Sequence, residues 1–363
     1  MAISFFIMKK YYTIPFFIPH RGCPHQCIFC NQKNIAGEAV ISPNEVSGKI
    51  EKYLKHISSS NAEVEVGFFG GSFTGLPAEM QDSFLVSAQR YLEKGLIRGI
   101  RLSTRPDLIN ENILNFLRDH GVTCIELGVQ SMFQDVLSAS GRGHTVEDTE
   151  RASKLILKHG FVLGHQMMLG LPLSSEEKEF YTAQRANELG AKEVRIYPVL
   201  VIRGTVLEDL WRESKYKPLE AKEAVKRSAF LLMYFESVGI KVIRCGLHPA
   251  PGLISGEDFL AGPFHPAFRQ KAESLIFTFM LDRIIRDTDK QVIKAVSFNP
   301  QDEAAFFGFK GQNQFKINEL IGKNRDLLIR DLKIPKGCVR VKTRNRELVV
   351  RRSSLVSRLT VDG

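Results

Sequence analysis

The chain has 363 residues, 44% of them hydrophobic and 25% charged, with a formal net charge of +10. That is enough for one large α/β domain and a smaller one, and no apolar run reaches the ~18 residues of a membrane-spanning helix. Six cysteines are too few for a disulfide scaffold and suit a reducing, cytoplasmic compartment.

Residues 2–8 are apolar, but Lys9 and Lys10 follow rather than precede them and no small-residue cleavage site appears. No signal peptide is expected. Residues 13–19 form a β-branched and aromatic run that predicts a strand. It leads into Gly22-Cys23-Pro24-His25-Gln26-Cys27-Ile28-Phe29-Cys30, a C-x3-C-x2-C loop. Three closely spaced thiolates suit an iron–sulfur cluster, because soft sulfur matches iron. A fourth cysteine is absent nearby, so one iron is left open for chemistry. The alternative is zinc held by the three cysteines with His20 or His25.

Ser42-Pro43-Asn44-Glu45 has the form of a capping box and predicts a helix to about residue 56. Strands are then expected at 63–69, 100–104, 123–129, 162–169 and 193–201. Helices alternate with them at 78–94, 111–120, 146–159 and from Ser174-Ser175-Glu176-Glu177 to 189. Six strands joined through helices by short Gly- or Pro-marked loops predict parallel βα units. The cysteines, Gly70-Gly71, Ser103-Thr104-Arg105, Gln130-Ser131 and Gly170-Leu171-Pro172 all follow strands. In a βα barrel those ends share one face. No G-x-G-x-x-G follows any strand, which counts against a dinucleotide-binding sheet. The fold class expected is α/β, a partial (β/α)6 TIM-like barrel with a small C-terminal α+β extension.

A helix at 219–238 and a strand at 241–244 come next, then Cys245-Gly246-Leu247-His248-Pro249. Residues 250–266 are rich in Gly and Pro and read as a connector or lid. A helix at 268–286, a strand at 291–299, short helices at 302–307 and 314–321, and strands at 326–334 and 339–342 predict the small lobe. The expected division is 1–250 for the barrel with its cysteine loop, 251–340 for the extension and 341–363 for a basic tail. Residues 323–363 hold twelve Lys and Arg against four Asp and Glu, a net +8, which leaves the rest of the chain at about +2. Such a segment is either a footprint for phosphate backbones or a solvated tail.

The cysteine loop followed by βα units resembles the radical S-adenosylmethionine (radical SAM) superfamily. There, three cysteines hold a [4Fe–4S] cluster and S-adenosylmethionine chelates the fourth iron. Its reductive cleavage gives a 5′-deoxyadenosyl radical that abstracts hydrogen from a substrate. The resemblance implies Cys23, Cys27 and Cys30 as cluster ligands. Gly70 and Gly71 are similar to the glycine motif that contacts the methionyl amino group, with Ser72 where an acidic residue is usual. Glu126-Leu127-Gly128-Val129-Gln130-Ser131 resembles a motif shared by the coproporphyrinogen-oxidase and Elongator-like branches, which implies that Gln130 and Arg142 bind the cofactor. Gln166, Met168 and Gly170 match a segment near its ribose and adenine, and Ser103 and Arg105 are further candidates.

Arg105-Pro106-Asp107, the 126–131 motif and Gly141-Arg142-Gly143-His144-Thr145 most resemble Elongator catalytic-subunit-like proteins. The segment Ala261-Gly262-Pro263-Phe264-His265-Pro266 is similar to the C-terminal extension of that branch's bacterial members lacking the histone-acetyltransferase domain. The resemblance covers about residues 13–335. Full-length Elongator enzymes modify wobble uridine in tRNA through a fused acetyltransferase. No segment here resembles that domain, and the cysteine spacing is tighter. The function implied is hydrogen abstraction from a substrate such as tRNA or another RNA, met through the basic C-terminal segment, with a flavodoxin or ferredoxin as reductant and no membrane. The alternatives are a porphyrin-type small-molecule substrate and a non-catalytic cluster-bearing binding protein. Cys124, Cys245 and Cys338 are too widely spaced for a second cluster. Cys245 and His248 stand near where substrate would enter, and His144 and His165 near strand ends.

Overall fold

The computed structural model describes residues 10–18, 22–31, 41–57, 62–288 and 292–356. Strand β1 (Lys10–Ile18) starts three residues earlier than its apolar run, and only its later half, Ile14, Phe16 and Ile18, is buried. Helix α1 (Pro43–His56) opens as expected, with the Ser42 backbone N–H donating to Glu45 Oε2 at 2.8 Å. The βα alternation then follows as β2 (Ala62–Gly70), α2 (Ala78–Glu93), β3 (Gly99–Thr104), α3 (Glu111–Asp119) and β4 (Val122–Gln130). Asn110 caps α3 by accepting from the Ile113 backbone N–H at 3.0 Å.

A short helix, α4 (Gln134–Ala139), was not expected, because six residues are too few to show a helical period. Next come α5 (Val146–Lys158), capped by Thr145, β5 (Val162–Leu169), α6 (Glu176–Glu188), capped by Ser175, and β6 (Glu193–Pro198). The sixth strand ends at its proline rather than running to residue 201. Val201 and Ile202 instead form β7 (Val201–Ile202), followed by α7 (Val206–Arg212), α8 (Ala221–Ser237) and β8 (Lys241–Cys245). The Gly/Pro-rich connector contains α9 (Pro251–Ser255) and β9 (Phe259–Ala261). Strand β9 pairs antiparallel with β7, Val201 opposite Ala261.

The main sheet has the order β1-β2-β3-β4-β5-β6-β8, and its pairings from β1 to β5 are parallel. It is the expected partial barrel, with β8 as a seventh strand beyond the six. Every residue of β3 is buried, as befits a parallel strand covered on both faces.

The chain divides into two compact units. The first comprises Met1–Arg195, Val199–Pro218 and His248–Ala261, and the second Ile196–Pro198, Leu219–Leu247 and Gly262–Gly363. The second therefore takes in α8 and β8, which the sequence division assigned to the barrel. The reason is packing: α8 lies against α10 (Phe268–Asp287), whose Phe277, Met280, Leu281 and Ile284 are fully buried. After α10 come β10 (Ile293–Phe298), α11 (Glu303–Phe307), α12 (Gln314–Ile321), β11 (Leu328–Arg330), β12 (Cys338–Thr343) and β13 (Glu347–Arg351). The four strands lie in the order β11-β10-β12-β13. The expected tail thus begins inside a β-hairpin, because Val341 and Val350 bury their side chains in this lobe. The long strand expected at 326–334 shrinks to three residues. Among the described residues no helix is long and apolar enough to cross a membrane.

Candidate active site

The cysteine loop is fastened on three sides within the first unit. Gly22 is left-handed (φ 72°) and a Cβ there would overlap the Ser72 carbonyl oxygen, so only glycine lets the loop approach the end of β2. Cys23 Sγ lies 3.3 Å from Ser72 Oγ. On the second side the Ile28 backbone N–H donates to Ser140 O at 3.1 Å, and Gly143 (φ 77°) makes room for the His25 ring. On the third, Leu207 N–H donates to Ile28 O at 2.8 Å and Asn31 Nδ2 to Arg203 O at 2.9 Å. Cys27 is buried, while Cys23 and Cys30 are half-buried. Among the described residues no three His, Cys, Asp or Glu side chains converge on a single point, the three loop cysteines included. His20 lies outside the described residues.

Arg142 joins this loop to the end of β4. Its guanidinium donates from Nη1 to Cys27 Sγ at 3.3 Å and from Nη2 to Gly128 O at 2.6 Å. A Cβ on Gly128 would sit 2.7 Å from Nη2, so glycine is what admits the arginine. Two residues on, Gln130 is left-handed at φ 65°, and the register with β5 shifts between Gly128 and Gln130. Such a conformation costs a non-glycine residue about 1–3 kcal/mol. Gln130 Oε1 and Arg142 Nε are both buried without a hydrogen-bond partner. Unpaired buried groups of this kind are retained where a ligand completes them.

These residues fit the implied cofactors. Soft thiolates beside a guanidinium suit a cluster, and an unpaired acceptor with an unpaired cationic donor suits an amino-acid headgroup. Gly71 and Ser103 line a narrow cleft with Ile18, Phe68, Phe69 and Phe73 at the ends of β1 to β3. Arg105 is fully buried and pairs with Asp107, Nε to Oδ1 at 2.9 Å, leaving Nη1 without a partner. His144 is buried near both arginines. Burial, then the charges of Arg142 and Arg105, pushes its pKa down to about 3, so the ring is neutral, with the Val129 backbone opposing weakly.

Other candidates are placed differently. Met168 packs on the apolar cluster of Val136, Leu171, Val199, Val201 and Leu207. Gly170 spends its N–H on Glu179 Oε1 at 2.7 Å and its carbonyl on Tyr216 O–H at 2.7 Å. Gln166 Nε2 donates to Ser103 Oγ and to Glu126 Oε2, each at 2.9 Å. Cys245 is buried, and burial pushes its thiol up to about 12, as suits packing. Cys124 is buried and shifted in the same direction.

A charged network in the barrel interior escaped the sequence reading. Glu126, 1% exposed, accepts from Arg195 Nε at 2.5 Å, Arg195 Nη2 at 2.8 Å and Arg101 Nη1 at 2.9 Å. Burial opposes its ionisation, but Arg195 and Arg101 outweigh that and hold its carboxyl below the usual range. Arg101 also meets Glu65 at 2.6 Å and Glu193 at 2.8 Å. The available signal was the charged residues at alternating strand positions, which cannot all be buried unless paired.

A family model described as the radical SAM superfamily matches residues 17–183, and one described as its C-terminal domain matches 191–276. The tRNA uridine(34) acetyltransferase of Methanocaldococcus jannaschii is 30% identical over 263 residues, 61% of this chain and 48% of that protein. The chain thus spans about half the length of that relative. An uncharacterized protein of the same organism is 30% identical over 234 residues, with 72% of its length covered. The structure of Elp3 from Methanocaldococcus infernus with an N-terminal deletion matches with a TM-score of 0.58 at 23% identity, over 77% of this chain and 64% of that one, and so shares the fold. The chain belongs to the radical SAM superfamily, a family of enzymes, and takes its two cofactors, a [4Fe–4S] cluster and S-adenosylmethionine.

Proposed function

We propose that Cys23, Cys27 and Cys30 hold the cluster and that Gly70, Gly71, Ser72, Gln130 and Arg142 surround the amino-acid end of S-adenosylmethionine. On this reading Ser103, Arg105 and Gln166 lie toward its nucleoside end, while Met168, packed in an apolar cluster, and Gly170, with its backbone groups paired, support the end of β5 instead of touching the cofactor. The observation that carries it is Arg142, which reaches Cys27 Sγ and Gly128 O at once and so ties the thiolate loop to the motif at the end of β4. When bound, the cluster supplies the electron that splits S-adenosylmethionine for hydrogen abstraction. Arg142 offers its unpaired Nε to the cofactor carboxylate, and Gln130 offers Oε1 to the amino group. The phenylalanines of the cleft exclude water from that end.

The substrate proposed is an RNA, in the first place tRNA. The relatives' names support this, as does the outward face of the second unit's sheet. Arg340 and Lys342 on β12 and Arg351 on β13 share the face opposite to the buried Val339, Val341 and Val350. Cations presented from a sheet suit phosphate contacts. The compartment proposed is the cytoplasm, where a flavodoxin or ferredoxin would serve as reductant.

Two measurements test the reading. Anaerobically reconstituted protein given dithionite and S-adenosylmethionine should form 5′-deoxyadenosine; its absence would leave a cluster-bearing binding protein. Nucleoside mass spectrometry of tRNA from cells with and without the gene should show a lost modification. An unchanged profile would point to a small-molecule, porphyrin-type substrate.

A further inference from the structure

The acidic residue at the centre of the barrel network has no assigned part in the site. Glu126 is ionised, because two arginines hold it so, and an ionised carboxylate can only accept hydrogen bonds. Gln166 must therefore turn its NH2 group toward Glu126, and that orientation fixes which end of the amide is left over. Both Nε2 hydrogens are used, one on Glu126 Oε2 and one on Ser103 Oγ. Ser103 Oγ accepts from Gln166 Nε2, so its own hydroxyl hydrogen remains to be donated. Ser103 lines the cleft that Gly71 also lines, and Gln166 is half-buried. Gly164 makes the arrangement sterically workable: a Cβ there would lie 2.9 Å from Glu126 Cγ.

We propose that Glu126 is a positioning residue: it locks the Gln166 amide so that the Gln166 carbonyl and the Ser103 hydroxyl stand side by side as acceptor and donor for the nucleoside of S-adenosylmethionine. A hydroxyl-bearing sugar, which both donates and accepts, complements that pair. The inference rests on the cofactor site proposed above. Without Glu126 the amide is free to turn over, and the fixed acceptor beside the Ser103 hydroxyl is lost.

The test is equilibrium binding of S-adenosylhomocysteine to reconstituted protein, for the wild type, Glu126→Gln, Gln166→Met and the double variant. Glu126→Gln should raise the Kd about tenfold, the scale of one mispaired hydrogen bond. The double variant should bind no worse than Gln166→Met alone, since Glu126 acts through Gln166. Multiplying effects, or an unchanged Kd in Glu126→Gln, would overturn the inference, because a purely structural role lowers the melting temperature without that coupling. If Glu126→Gln fails to fold, Glu126→Asp keeps the charge for both arginines while withdrawing the carboxylate from Gln166, and should raise the Kd likewise. Unchanged binding in that variant would also overturn the proposal. Wild-type protein that does not bind S-adenosylhomocysteine would instead refute the cofactor site itself.

Discussion

Replacing Gly128 by alanine tests the arginine bridge with a single methyl group. A Cβ at this position would lie 2.7 Å from Arg142 Nη2, 3.1 Å from Gln130 Nε2 and 3.6 Å from Thr104 O. The two tight neighbours are the ends of side chains, and the nearest backbone atom is at ordinary contact distance. The strain therefore falls on Arg142 and Gln130 rather than on the sheet. Nη2 must leave Gly128 O, now 2.6 Å away, and the 3.3 Å contact of Nη1 with Cys27 Sγ is disturbed with it. A hydrogen bond to a charged group contributes about 1.5–3 kcal/mol, equivalent to about 10- to 160-fold in affinity. The Kd for S-adenosylmethionine should rise by about that factor, while the melting temperature moves by only a few degrees. Calorimetric titration of reconstituted wild type, Gly128→Ala and Arg142→Lys, with thermal melts of each, measures both quantities. Full affinity in Gly128→Ala would refute the role given to Arg142. A collapse of the melting temperature would refute the claim that the strain stays in the site.

Gly22→Ala sets a new methyl group against a backbone carbonyl at φ 72°, which no side-chain rotation relieves. Cluster incorporation should be lost, read as iron content and visible absorbance; unaltered iron content would defeat this account of the loop. Gln130→Gly removes the left-handed strain and a partnerless buried oxygen, so stability to urea should rise by about 1 kcal/mol while cofactor binding weakens. A less stable variant contradicts the strain argument. His144 and His165 have pKa values pushed down to about 3 and about 4, chiefly by burial. The unfolded chain takes up these protons first, so stability falls below pH ~6.5 by about 1.4 kcal/mol per pH unit for each histidine, until the folded values are reached. Urea midpoints of cluster-free protein between pH 6.5 and 5 should show this slope and His144→Gln should halve it; a flat profile counts against burial as the cause. Changing Arg340, Lys342 and Arg351 together to glutamine should flatten the log–log salt dependence of tRNA binding by about 2–3. An unchanged slope would remove this face from the RNA reading.

Much of the architecture could be read from local rules because its elements are locally determined. Asn110, Thr145 and Ser175 each cap the helix they precede, and Gly121, Gly160 and Gly190 stand between those helices and the strands that follow. What failed to read were elements too short to carry a period, such as α4 and β9, and features decided by distant packing. The grouping of α8 with α10 is one such feature, since an amphipathic helix does not name its partner. The ordered hairpin of β12 and β13 is another: its charged outward positions raise the net charge of the segment to that of a tail, and only the alternation of Val339, Val341 and Val350 betrays the buried face.

The site divides along the same line. Cys23, Cys27 and Cys30 announce themselves because their ligand spacing is one-dimensional. Glu126 does not, since its partners Arg101, Gln166 and Arg195 come from three other strands, and pairing between strands leaves no fixed interval in the chain. Gln130 is the instructive case between them. Its motif drew attention to it, yet nothing in a glutamine suggests a left-handed backbone, a conformation that sequence patterns associate with glycine and asparagine. The bend comes from its surroundings. Gly128 admits the Arg142 guanidinium, the register with β5 slips by one residue, and Gln130 is carried into a strained turn with its side-chain oxygen buried and unpaired. Strain and an unsatisfied acceptor on one residue are two separate costs to folding, and neither is relieved within the described structure. A ligand that donates to Oε1 relieves the second directly, which makes the end of β4, more than any other strand end, the place where binding energy is to be gained.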